Sequence, residues 1–247
     1  MTPLLMAALF AIMVATAFLS GIFGMAGGLI LMGVLLALMP VPAAMVLHGV
    51  TQMASNGWRA FLWRDHIVWQ PVGFYMAGCV LALGLWSLLT FVPSRPVALL
   101  FLGLSPFIVR LLPASLKPDP GRLSHGVLFG GACTSLMLLT GVSGPLLDTY
   151  FLGGAMDRRQ LVATKATCQV LGHGIKLIYF GGIISAAATL DPILAGLAIA
   201  ASLIGTTLAR RILEGMSEKQ FRTWANRIIL AIATYYVGHG TWLMATS

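Results

Sequence analysis

Charge is scarce in this chain: of 247 residues only 9% are charged, and seven are acidic. A soluble domain carries about 25% charged residues. With 58% hydrophobic residues and a mean hydropathy of +0.92, the sequence cannot clothe a water-facing surface. It reads as an all-α polytopic membrane protein. Cysteine is equally thin. Cys79, Cys133 and Cys168 stand singly inside apolar segments with no CxxC pair, so neither a disulfide framework nor a metal site is expected, and no cofactor. The opening MTPLLMAALFAIMVATAFLSG lacks a basic n-region and reads as a first membrane segment rather than a cleaved signal peptide.

The net charge of +8 would suit nucleic acid, but the basic residues fall in connectors between apolar runs: Arg64; Arg110, Lys117 and Arg122; Arg158 and Arg159; Arg210, Arg211, Lys219 and Arg222. That is the positive-inside pattern of cytoplasmic loops. No nucleic-acid module is visible, the lipid bilayer is the expected partner, and no feature sets an oligomeric state.

Apolar runs cover 3–22, 29–39, 43–62, 68–92, 96–112, 124–140, 145–154, 160–180, 192–209 and 223–243. A spanning helix needs about 20 residues. Runs 29–39 and 145–154 are too short, and each follows a glycine-broken stretch, so 3–39 and 124–154 read as bent hairpins. The connectors at 63–67, 113–123, 155–159 and 210–222 then fall inside, and both termini fall outside.

A shift of 117 residues aligns Gly24 with Gly141, Gly27 with Gly144, Gln52 with Gln169, Gly57 with Gly174 and Arg59 with Lys176. Further on the shift becomes 121, pairing Pro71 with Pro192 and Gly84 with Gly205, as if four residues were inserted around Gly181–Ser185. The expectation is two membrane repeats, 1–121 and 122–247, each a glycine-broken hairpin plus three transmembrane helices. An odd number of crossings per repeat inverts the second, the architecture of many secondary transporters.

Segment 43–62 places His48, Gln52, Asn56 and Arg59 on one helical face, and segment 160–180 does the same with Lys165, Gln169, His173 and Lys176. Polar residues inside a membrane face a bundle interior or a wet cavity. The plainer readings are that Arg59, Lys165 and Lys176 snorkel to an interface, that the glutamines are interhelical glue, and that the histidines are packed.

The breaks themselves are GMAGG, with Gly24, Ala26, Gly27 and Gly28, and GVSGP, with Gly141, Ser143 and Gly144. Small residues there allow the backbone to unwind, and the short helices that follow would present N-termini that attract anions. The competing reading is glycine for tight helix crossing. Asp148, placed deep in the membrane, is expected to pair with Lys165 or Lys176, or to carry a coupling proton.

At these residues the chain resembles the sulfite exporter TauE/SafE family: GMAGG, GVSGPLLDTYFLGG, and the segments HGVTQMASNGWR and KATCQVLGHGIK carry the likeness. The family's first motif is usually richer in glycine, where this chain has Ala26, and its second here has Ser143 and Pro145. The resemblance implies transport of sulfite or a short organosulfonate. On that reading the anion is held by the two breaks with Gln52, Asn56, Gln169 and His173. His48, Arg59, Asp148, Lys165 and Lys176 compensate charge or couple. An inside-negative potential favours exit of a bare anion by roughly 2.3 kcal/mol per charge per 100 mV. Two alternatives are a passive anion channel on the same fold and a rhomboid-like protease, with GVSG supplying Ser143 and His173 or His239 acting as base; no catalytic residue is expected.

Overall fold

The apolar runs form helices nearly residue for residue. The computed structural model describes residues 2–23, 26–113, 118–151, 153–184, 190–215 and 218–246. Gly24 lies outside them. Among the described residues there are ten α-helices and no strand: α1 Pro3–Phe23, α2 Ala26–Leu38, α3 Val41–Leu62, α4 Trp69–Leu89, α5 Arg95–Leu111, α6 Leu123–Thr140, α7 Gly144–Tyr150, α8 Arg158–Ile178, α9 Pro192–Gly215 and α10 Glu218–Thr246. Five stretches, in α1, α4, α6, α9 and α10, are long and apolar enough to cross a bilayer. The chain is an all-helical, multi-pass membrane protein.

Its surface is apolar where a soluble protein's would be charged. Leu81, Leu85 and Leu88 form an exposed stripe on α4, and Trp224 and Trp242 are exposed on α10, the disposition of a lipid-facing wall with interfacial aromatics. The polar helices go inside. On α3, His48, Thr51, Gln52, Ser55 and Asn56 are all buried.

Packing follows an exchange rule. The broadest interfaces are α4 on α6, α1 on α9, α5 on α10 and α3 on α8. Replacing each of the first five helices by its counterpart five places on turns α1–α9 into α6–α4, and leaves α3–α8 and α5–α10 as they are. The α3–α9 contact likewise matches α8–α4, and α2–α10 matches α7–α5. A methyl group added at Gly49 would meet Leu177, at Gly174 Met53, and at Gly57 Val170. Rising numbers on α3 thus face falling numbers on α8, so the two run antiparallel.

One expectation needs correcting. The first glycine motif is not wholly unwound, because Ala26, Gly27 and Gly28 already form the first turn of α2. A Cβ on Gly27 would overlap the Thr16 carbonyl oxygen and fall 2.8 Å from the Ser20 amide nitrogen, so this glycine serves close packing of α2 on α1. In the second motif the backbone does break: Gly141 is left-handed at φ +86° and ends α6, and Val142 and Ser143 precede α7. In the stretch Gly181–Ser185, where four inserted residues were expected, α8 runs into one π-helical turn at Tyr179–Ile183; Ser185 lies outside the described residues.

Candidate functional site

The α3 and α8 stripes meet around a cavity that also touches α1, α2, α6 and the second break. Its wall comprises His48, Gln52, Asn56 and Arg59 from α3, Lys165, Gln169 and His173 from α8, and Gly28, Val142, Ser143 and Gly144 at the two breaks. Ser20 and Met137 complete it. Neither had been singled out, yet they stand 117 residues apart, as do Gln52 and Gln169, His48 and Lys165, and Asn56 and His173. The repeat register carried that signal. The cavity is small, about 20 Å³.

Several wall groups have unspent hydrogen-bonding capacity. The Ser20 and Ser143 hydroxyls and His173 Nδ1 are buried without partners. Among the described residues the Gln52 and Gln169 side-chain amides make no hydrogen bond either. Asn56 differs, donating from Nδ2 to the Gln52 carbonyl at 2.9 Å. Buried polar groups are nearly always satisfied, so several orphans around one cavity mark a place where a ligand supplies the partners.

Behind the wall lies a chain of bonds across the α3–α8 interface. Lys176 is fully buried and does not snorkel. Its Nζ donates to the Gly141 carbonyl at 3.0 Å and to His48 Nδ1 at 2.8 Å. His48 Nε2 donates in turn to the Gly28 carbonyl at 3.0 Å. Because Gly28 offers only an acceptor, the imidazole hydrogen sits on Nε2 and Nδ1 is left to accept. One residue pair therefore ties Gly141 at the second break to Gly28 at the first. The His48 and His173 rings lie 5.6 Å apart.

The cavity's opposite end holds the other cations. Arg59 makes long bonds to the Ser20 carbonyl (3.4 Å) and Asn56 Oδ1 (3.5 Å), so it leans on α1 instead of reaching away. Lys165 forms an ion pair with Asp148 of α7. Of the two partners expected for Asp148 the structure selects Lys165; the Asp148 side chain is 42% accessible and lies outside the cavity wall. Ala26 and Gly27 are buried in packing and do not line the cavity either. Among the described residues no cluster of His, Cys, Asp or Glu suits a metal.

The family comparison agrees with the motifs. The profile of the sulfite exporter TauE/SafE family matches residues 9–236, nearly the whole chain. No curated protein and no solved structure matches. The chain belongs to the sulfite exporter TauE/SafE family, and is a membrane transporter of that sulfur-anion class.

Proposed function

We propose that the protein exports sulfite or a short organosulfonate across the bacterial inner membrane by alternating access, holding the anion in the cavity between α3 and α8. The observation that carries this is the ring of unpartnered polar groups, Ser143, His173, Gln52 and Gln169, bordered by Arg59. Hydroxyl and amide hydrogens suit oxyanion oxygens, and the guanidinium supplies countercharge. α7 has only seven residues, so a small macrodipole; its contribution is the leading N–H groups, which have no acceptor within the helix.

The exchange-related packing and the antiparallel α3 and α8 support two membrane repeats, 1–121 and 122–247, in inverted orientation; on this reading the basic connectors put both termini outside, and the cavity between the repeats is near the midplane. The protease reading gains nothing: among the described residues Ser143 Oγ bonds to neither His173 nor His239, whereas a nucleophile needs its base within reach.

The test is anion flux in liposomes containing purified protein, offered sulfite, sulfate, thiosulfate or methanesulfonate. Saturable uptake that is accelerated by unlabelled anion on the far side establishes a carrier. Flux that never saturates and shows no such acceleration would mean a channel. Absence of flux for every anion, in folded protein, would sink the reading.

A further inference from the structure

We infer that Lys176 and His48 together form the binding site of a proton that travels with the anion. The inference rests on the transport reading above and assigns this buried pair a ligand of its own.

The argument is a count of hydrogens. A neutral amine has two N–H groups and a lone pair; an ammonium has three N–H groups. The protein offers Lys176 two acceptors, the Gly141 carbonyl and His48 Nδ1. Both N–H groups of the neutral amine are thereby used, and among the described residues no further acceptor bonds to Nζ. A proton added to the pair creates one positive charge. It rests on Nζ as an ammonium, or passes along the 2.8 Å contact to Nδ1, giving an imidazolium on the cavity wall. His48 Nε2 already donates its hydrogen to Gly28, so the pair stores one proton and no more.

Among the described residues no carboxylate bonds to Lys176 or His48. On α7, Asp148 is committed to Lys165. On α3 and α8 the remaining ionisable side chains are Arg59, Arg158, Arg159, Lys165, Cys168 and His173, none of them a carboxylate. α1 and α2 have no ionisable side chain, α4 and α6 bring Tyr75, Cys79, His125 and Cys133, and α9 carries Arg210, Arg211 and Glu214 only toward its C-terminal end. A buried charge must be paired, and the available partner is an anion in the cavity that His48 lines. Proton and anion therefore bind together, and linkage makes the effect reciprocal. A monovalent anion then crosses with its charge cancelled, and its gradient must outweigh the pH gradient for net export.

The test adds methanesulfonate, thiosulfate or sulfite to purified wild-type protein in weakly buffered detergent solution. A pH dye reads proton uptake and calorimetry reads binding, with sulfite's own titration subtracted from a protein-free run. The expected result is uptake approaching one proton per anion bound, with affinity rising up to about tenfold per unit fall in pH. Lys176→Arg, which stays charged, and Lys176→Met, which cannot be charged, should both lose the uptake and the pH dependence. Anion binding without proton uptake overturns the inference and leaves transport standing; so does uptake that survives both substitutions. If no anion binds or is carried, both readings fail together. Should the Lys176 variants not fold, the wild-type stoichiometry decides alone.

Discussion

At Gly27 the chain is packed against the backbone of α1, whereas at Gly144, its counterpart 117 residues on, it borders a cavity. The neighbours explain the difference. Position 26 carries a methyl group and is fully buried; position 143 carries a hydroxyl that finds no partner. Position 28 gives its carbonyl to His48, and the acid that follows the second break, Asp148, draws Lys165 toward it. A shared glycine pattern thus specifies a close approach or a sharp turn in both places. Whether that place becomes a seal or a binding surface depends on the side chain beside the glycine.

The sharpest way to break this comparison is to fill each break with one methyl group's worth of change. Gly27→Ala puts Cβ into the Thr16 carbonyl and close to the Ser20 nitrogen, both backbone atoms that cannot swing aside. Overpacking of this kind costs about 1–3 kcal/mol or more, so folded yield and thermal stability should fall steeply. Ser143→Ala removes only an unpartnered hydroxyl and should leave stability unchanged or slightly higher, with anion flux reduced several-fold. A Gly27→Ala protein as stable as wild type would refute the seal. Complete loss of function in Ser143→Ala would revive the nucleophile.

Next in size is Gly141→Ala. A left-handed non-glycine residue costs roughly 1–2 kcal/mol, and the new Cβ would also overlap Met32. Met32→Ala removes the crowding but leaves a cavity at a fully buried position, so that single variant is the reference. Adding Gly141→Ala to it should cost less melting temperature than adding it to wild type, leaving only the backbone strain. No further loss at all would mean that the left-handed turn was never required.

The carboxamides come third. Gln52→Leu and Gln169→Leu keep volume and remove unpartnered polar groups, so stability should hold or rise. Half-saturation for the transported anion should weaken by about tenfold in each case, the scale of one or two hydrogen bonds lost. A large effect at one glutamine and none at the other would show that only one wall holds the anion.

Much of this was legible before any coordinates, for physical reasons that differ by feature. The helices could be read because an apolar run of spanning length has few alternatives in lipid, and the breaks because 29–39 and 145–154 are too short to span. The stripes could be read because helical periodicity puts residues four apart on one face. Hidden from the sequence was everything set by how helices are rotated and spaced against one another. Lys176 looked able to reach an interface, but α8 is turned so that its amine meets His48. Asp148 had two candidate partners, and only the placement of α7 beside α8 selects Lys165. Gly27 looked like part of an unwound loop, and only its distance to α1 reveals a packing role. Ser20 and Met137 were visible in the repeat register but silent in composition, since one is small and the other apolar.

The smallest expected effect concerns how the two central helices begin. α3 starts at Val41, after Pro40, with no side-chain cap; α8 starts 117 residues later at Arg158, behind Asp157. Asp157 Oδ1 accepts from the Gln160 and Arg159 amides at 2.9 and 2.8 Å, and Gln160 Oε1 accepts from the Asp157 amide at 3.2 Å. The Gln160 amide foremost, then that of Arg159, holds the Asp157 carboxyl below its ordinary range. A depressed carboxyl stabilises the fold above its unfolded pKa of about 3.9, and that contribution is lost as pH falls through the lower folded value. In acid the first turn of α8 should therefore loosen while that of α3 does not. Asp157→Asn keeps an oxygen acceptor at the cap but cannot titrate, so it should abolish the acid dependence and change neutral-pH stability little. Hydrogen-exchange protection at the Arg159 and Gln160 amides measures this, with the first turn of α3 as internal reference. Equal loosening of both helices in acid would mean that the cap does not set the difference, and that the two ends of the bundle respond to pH through their connectors instead.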